Sequence, residues 1–84
     1  MTNKEIIKRQ IIYRSIHRGT KEMDILLGSF VKKYINKFND KDLKDLEKLL
    51  LKDDDQIFTW YFKKKSKIYF EKNNVTLLLK KFKL

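Results

Sequence analysis

The chain contains no proline, and its two glycines fall at 19 and 28. Proline and glycine are the residues that most weaken a helix interior, so a chain this poor in both is expected to be helical almost throughout. The strongest support lies between residues 23 and 38. Met23, Leu26, Leu27, Phe30, Val31, Tyr34, Ile35 and Phe38 recur at three-four spacing and make one apolar stripe. Gly28 stands off that stripe. It costs about 1 kcal/mol in helix propensity relative to alanine, so a close neighbour is expected beside it.

Local signals divide the rest. Thr2 or Asn3 is suited to cap a first helix, with Glu5 in its first turn and Ile7, Ile11 and Tyr13 as its buried edge. Gly19 ends or bends it. Residues 36–40 are polar enough for a turn, and Asp40 is the expected cap of a third helix carrying Leu43, Leu46, Leu49 and Leu50 inward. Asp53 starts a fourth, with Gln56 in capping-box register and Asp54 and Asp55 in the first turn, where carboxylates suit the helix dipole. That helix is aromatic (Ile57, Phe58, Trp60, Tyr61, Phe62), and Phe58 and Trp60 are assigned to the core. Lys63 to Ser66 is a connector with Ser66 as cap. The last helix turns Ile68, Val75, Leu78, Leu79 and Phe82 inward, with a kink at Asn73-Asn74. The expectation is a compact all-α single domain, residues 1–84, of about five short helices.

At this length the core is thin, burying only about 60–65% of the unfolded surface. Absence of cysteine removes disulfides, thiolate chemistry and Cys-based metal sites, and the single histidine, His17, supplies no zinc or iron cluster. No apolar run is long enough to span a membrane. The N-terminus lacks a secretory h-region, and the periodic part of the fold starts by Ile6, which leaves no removable transit segment. A reducing, bacterial cytoplasm is the expected location.

The net charge of +10 carries less than it suggests: 18 of the 21 basic residues are lysine, and Lys, Ile and Asn make up 32 of 84 residues, as an AT-rich genome would impose. Its distribution says more. Residues 1–39 carry +6, residues 40–55 carry −3 and residues 63–84 carry +7. A small, basic, helical chain fits nucleic-acid binding in general terms, and this is the alternative function. Against it, the three arginines all precede residue 19, and no stretch reads as a helix-turn-helix with a polar recognition helix.

Residues 18–27 hold the chemistry that is out of place for a core. Arg18 and Glu22 lie four apart around Gly19, with His17 before and Asp24 after. If a helix begins at Thr20, the turn offers bare backbone between a positive and a negative side chain, a surface that suits docking. It lacks the nucleophile, base and orienting group of an active site, so no catalytic residue is assigned. The structural alternatives are plain. Arg18 and Glu22 make a helix pair worth about 0.5 kcal/mol at most. Gly19 is a terminator, Asp24 a helix-start charge, and His17 a surface residue. Asp53 to Asp55 lack the alternating ligands and distal glutamate of a calcium loop. No glycine-rich phosphate loop is present.

Ile12-Tyr13-Arg14-Ser15 followed by Arg18-Gly19-x-x-Glu22-x-Asp24-x-Leu26-Leu27-x-x-Phe30 resembles the small FAD assembly factors of succinate dehydrogenase, the flavinator family, also called succinate dehydrogenase assembly factor 2. Leu46-x-x-Leu49-Leu50 and Asp53-Asp54-Asp55-x-x-Phe58-x-Trp60 resemble that family's leucine-rich helix, acidic turn and aromatic segment. The likeness covers roughly residues 6–82. Arg-Gly-x-x-Glu alone is weak, but the two blocks at this separation are specific together.

The resemblance implies a non-enzymatic helper, here expected to be a monomer, that binds the flavoprotein subunit of succinate dehydrogenase, and in the family often that of fumarate reductase. It promotes covalent attachment of FAD to a histidine of that subunit and holds no cofactor or metal itself. Carried over by position, the partner-binding residues are Arg18, Gly19 and Glu22, with Asp24 and His17 beside them. The chain departs from the family's pattern where Lys63 to Lys65 replace a glycine- or proline-containing connector, and in a more basic final helix.

Overall fold

The computed structural model describes residues 2–63 and 67–83. They form five helices and no strand: α1 (Asn3–Ile16), α2 (Lys21–Tyr34), α3 (Asp40–Leu50), α4 (Asp54–Phe62) and α5 (Asn74–Lys81). The all-α bundle expected from the missing proline is the one observed. Helix α1 packs on α2 and α3, and α5 packs on α3. Every helix contributes at least one fully buried side chain to a single core, among them Ile11, Phe30, Leu46, Ile57 and Leu79. The stripe from Met23 to Phe38 faces that core beyond the end of α2 itself, since Ile35 and Phe38 are buried in the turn that follows.

On α1, Thr2 caps the helix by accepting from the Glu5 amide. Its inward face is Ile7, Ile11 and Ser15, four residues apart, whereas Tyr13 is 62% exposed, contrary to the expected buried edge. Two residues on from Ile11 is about 200° around the helix, which turns Tyr13 to solvent. Buried Ser15 satisfies its hydroxyl by donating to the Ile12 carbonyl at 2.7 Å. The neighbour expected at Gly28 is α1: a Cβ there would lie 3.1 Å from Ile16 Cγ2 and 4.0 Å from the Ser15 carbonyl oxygen.

The cap of α3 is Asn39, one residue before the expected Asp40. Asn39 accepts from the Asp42 amide at 2.8 Å, and Asp42 accepts in return from the Asn39 amide at 3.4 Å. Reciprocity decides the position, because a box needs a side-chain acceptor three residues on, and from Asp40 that residue is Leu43. Asp53 does begin α4, but it makes no side-chain cap bond, so the box expected with Gln56 is not formed.

The carboxyl-terminal part differs most from expectation. Lys64, Lys65 and the proposed cap Ser66 lie outside the described residues. Residues 67–72 are not helical, and Asn73 is a helix start, not a kink. Its side chain accepts from the Thr76 amide at 2.8 Å, and Thr76 Oγ1 accepts from the Asn73 amide at 3.0 Å. Ile68 therefore reaches the core from non-helical chain, with Tyr69 exposed and Phe70 buried after it, an alternation of period two. Phe70 stacks on Trp60 with ring centroids 4.7 Å apart. Trp60 is only partly buried, and Phe58 is exposed and packs on Phe62 instead of entering the core.

Candidate functional site

Helix α1 stops at Ile16, with His17 as its C-cap, and Thr20 caps α2 by accepting from the Met23 amide at 3.3 Å. Arg18 and Gly19 alone cross between the two caps. Thr20 is extended (φ −129°, ψ 154°), so Arg18 lies off the helical path that an i,i+4 pair with Glu22 would require. No such pair forms. Among the described residues, Glu22 is exposed and has no ion-pair partner.

Arg18 turns inward instead. Its side chain is 9% exposed, and Nε pairs with Asp54 Oδ1 at 2.6 Å. One terminal nitrogen donates to the Leu50 carbonyl at 2.7 Å and, more weakly, to the Arg14 carbonyl at 3.4 Å, while the other donates to the Lys52 carbonyl at 2.8 Å. The Arg14 and Leu50 carbonyls belong to the last turns of α1 and α3, where backbone acceptors have no helical partner and a cation is favoured. The Asp54 carboxylate sits in the first turn of α4, where an anion is favoured. The planar five-donor fork of arginine thus joins the ends of three helices, a set of bonds a lysine could not make.

Asp54 uses both oxygens. While Oδ1 takes the guanidinium, Oδ2 accepts from the Gly19 amide. A Cβ on Gly19 would lie 2.8 Å from that oxygen. Gly19 does not have a positive φ, so what a side chain here would meet is the Asp54 carboxylate, which would have to shift, and not a backbone constraint. Asp24, partly buried on α2, closes the turn from the other side by accepting from the Arg18 amide at 2.6 Å. The exposed His17 ring stacks on Tyr13 at 3.9 Å, and its Nδ1 donates to the Tyr13 carbonyl at 2.8 Å, which leaves Nε2 as the ring's other polar atom.

The five residues singled out from sequence therefore meet at one turn but divide into two groups. Gly19, Glu22 and His17 are exposed, and Arg18 and Asp24 hold the turn from beneath. Asp54 was missed as a member of this site, since it reads locally as an ordinary helix-start acid and its partner lies 36 residues away. The arrangement offers a fixed strip of backbone flanked by a carboxylate and an imidazole. Such a strip can recognise polar groups on another surface.

The family described as "Flavinator of succinate dehydrogenase" matches residues 9–83, which include the turn and its Asp54 support. Similar curated proteins carry related names. "Succinate dehydrogenase assembly factor 2, mitochondrial" of Dictyostelium discoideum is 40% identical over 60 residues, covering 71% of this chain and 43% of that protein. The protein of the same name from Scheffersomyces stipitis is 41% identical over 56 residues, covering 67% and 38%. "FAD assembly factor SdhE" of Acetobacter pasteurianus is 36% identical over 55 residues, covering 66% and 50%. The matched region spans half or less of the length of these relatives. No solved structure matches the chain.

Proposed function

We propose that this chain, which belongs to the succinate dehydrogenase flavinator family, binds the flavoprotein subunit of that enzyme and promotes covalent attachment of FAD to one of its histidines. The observation that carries the reading is the family match from residue 9 to residue 83, across almost the whole chain. The alternative of a nucleic-acid module has no such support. Fumarate reductase's flavoprotein subunit is a second client under the same proposal. The chain acts as a monomer and holds no FAD itself, and the client supplies both the flavin and the imidazole. Among the described residues no helix is long and apolar enough to cross a membrane. A bacterial cytoplasmic setting is part of the proposal and rests on the bacterial relative, several others being named mitochondrial.

In this reading the chain contributes binding, not a reacting group. A helper that prefers one client conformation shifts the client toward it by the difference in affinity for the two states. Bringing imidazole and flavin into contact geometry in this way can lower a barrier by up to about 7–11 kcal/mol. The groups available to grip the client are the Gly19 backbone, the Glu22 carboxylate and the His17 ring edge. Arg18 and Asp24 keep the turn in shape.

The test is co-expression with the succinate dehydrogenase flavoprotein subunit of the same genome in a host lacking its own assembly factor. Covalent flavin is then read as fluorescence on a denaturing gel, with Gly19→Arg as the negative control. Fluorescence that depends on the wild-type chain is expected. Equal fluorescence with and without folded chain would sink the reading and direct attention to nucleic-acid binding at varied salt.

A further inference from the structure

We infer that Asp54, on α4, is the positioning residue of the contact turn: its carboxylate sets the shape in which residues 17–22 meet the client, although it lies outside that turn. The inference rests on the proposed client reading and adds to it a residue from a different element. Three observations converge on it. Asp54 bonds the Arg18 side chain and the Gly19 amide with separate oxygens. Its side chain is 20% exposed and that of Arg18 is 9% exposed, so solvent competes little for the pair. The space a Gly19 Cβ would need is the space Oδ2 occupies.

The chemistry explains why no ordinary substitute serves. Only a carboxylate can accept from two donors with two equivalent oxygens in this plane. In Asp54→Asn one oxygen is replaced by an NH₂ group, which faces an N–H donor whichever way the amide is turned. A glutamate is one methylene longer, in a gap already closed to a Cβ. The α4 helix therefore decides whether the turn between α1 and α2 is held. Gly19, read from sequence as a contact or a terminator, has a third role as the clearance for this carboxylate.

The prediction is specific at the Gly19 amide. In the wild-type chain that N–H is bonded to a carboxylate, so its hydrogen exchange is slowed and its proton resonance lies downfield. Asp54→Asn removes both signatures and lowers affinity for the flavoprotein subunit at least about tenfold, the scale of one charge-assisted hydrogen bond. Gly19→Ala reaches the same state from the other side by displacing Oδ2, and the double variant is no weaker than either single one, because both remove the same contact. Val75→Ala in the α5 core serves as the stability control. It lowers the melting temperature and leaves both the amide signature and client affinity at wild-type values.

The experiment combines amide exchange, thermal melting and titration against the isolated flavoprotein subunit for these four variants and the wild type. Wild-type affinity in Asp54→Asn after loss of the amide signature overturns the inference. So does a Val75→Ala variant that binds as poorly as Asp54→Asn, since general loss of stability would then suffice. If Asp54→Asn does not fold, Asp54→Glu decides by the same two readouts, because it changes the support without adding a group to the exposed turn. A wild-type chain that fails to bind the flavoprotein subunit is a different outcome: it removes the client reading first, and the inference with it.

Discussion

Helices α1 to α3 and the chain after residue 53 close the same core by different means. In the first region apolar side chains recur every three or four residues along regular helices, and Leu26, Leu27, Phe30, Leu43 and Leu46 are each at most 2% exposed. In the second, Ile57, Val75 and Leu79 are also fully buried, but the remaining burial depends on rings and single tethers. Phe70 reaches Trp60 from non-helical chain, Lys80 sits 4.6 Å over the Trp60 ring and bonds its carbonyl, and the Tyr61 hydroxyl bonds the Phe82 carbonyl. A periodic interface distributes its free energy over many equivalent contacts, whereas a tethered one concentrates it in a few. The contact turn lies at the joint, with its surface on α1 and α2 and its support on α4. The part of the molecule that shapes the proposed site is thus attached to the region with fewer redundant contacts.

The largest effect that would break this comparison is expected at Leu46. Leu46→Ala removes a fully buried side chain from the middle of α3 and should cost about 3–4 kcal/mol. That is a large fraction of the roughly 5–15 kcal/mol available to a small domain. Urea titration followed by circular dichroism should show a lower midpoint with all helices lost together. Phe70→Ala should cost less, about 2–3 kcal/mol, because its stacking partner Trp60 is itself only partly buried. Its hydrogen exchange should quicken in α5 and spare α1 to α3. Uniform loss of protection in Phe70→Ala would show the two regions to be one cooperative unit.

That division also accounts for what could be read from residues alone. Three-four spacing is a local signal, so α2, α3 and the five-helix bundle were legible, as was a neighbour at Gly28. Tyr13 was misplaced against the helical period itself, since two residues on from Ile11 already sets it on the far side of α1. Ile68 and Phe70 make too short a run to separate period two from period 3.6, so non-helical chain was read as helix. The residues of the proposed site were picked out together through their resemblance, but the division of that turn into exposed and supporting members was not legible. Arg18 had two nearby acids to pair with, and the structure pairs its side chain with neither. Its carboxylate comes from Asp54, at a separation that no local pattern encodes.

Capping gives a finer comparison between the regions. Asn39 and Asn73 form equivalent boxes at the starts of α3 and α5. Each Asn→Ala change should cost about 1 kcal/mol. If the regions differ as argued, Asn39→Ala lowers the common melting temperature, whereas Asn73→Ala mainly raises the exchange rate of α5 amides at temperatures where α1 to α3 stay protected. Equal and global effects of both variants would contradict the distinction.

The smallest effect tests how rigid the first region is. Gly28→Ala should gain up to about 1 kcal/mol from helix propensity, since α2 otherwise carries a glycine in its interior. Opposing this, the new methyl would lie 3.1 Å from Ile16 Cγ2 and would have to move it by a few tenths of an ångström. Ile16 is the last residue of α1 and is 48% exposed, so it can yield without disturbing Ile11 or Ser15 in the core. The balance favours the substitution by a few tenths of a kcal/mol, a rise of about 1–3 °C in melting temperature for a domain of this size. A fall would mean that the end of α1 cannot shift. Because Arg18 bonds the Arg14 carbonyl in that same last turn, the rigidity of the contact turn would then extend back into α1, and Gly28 would belong with Gly19 among the residues that hold the site in place.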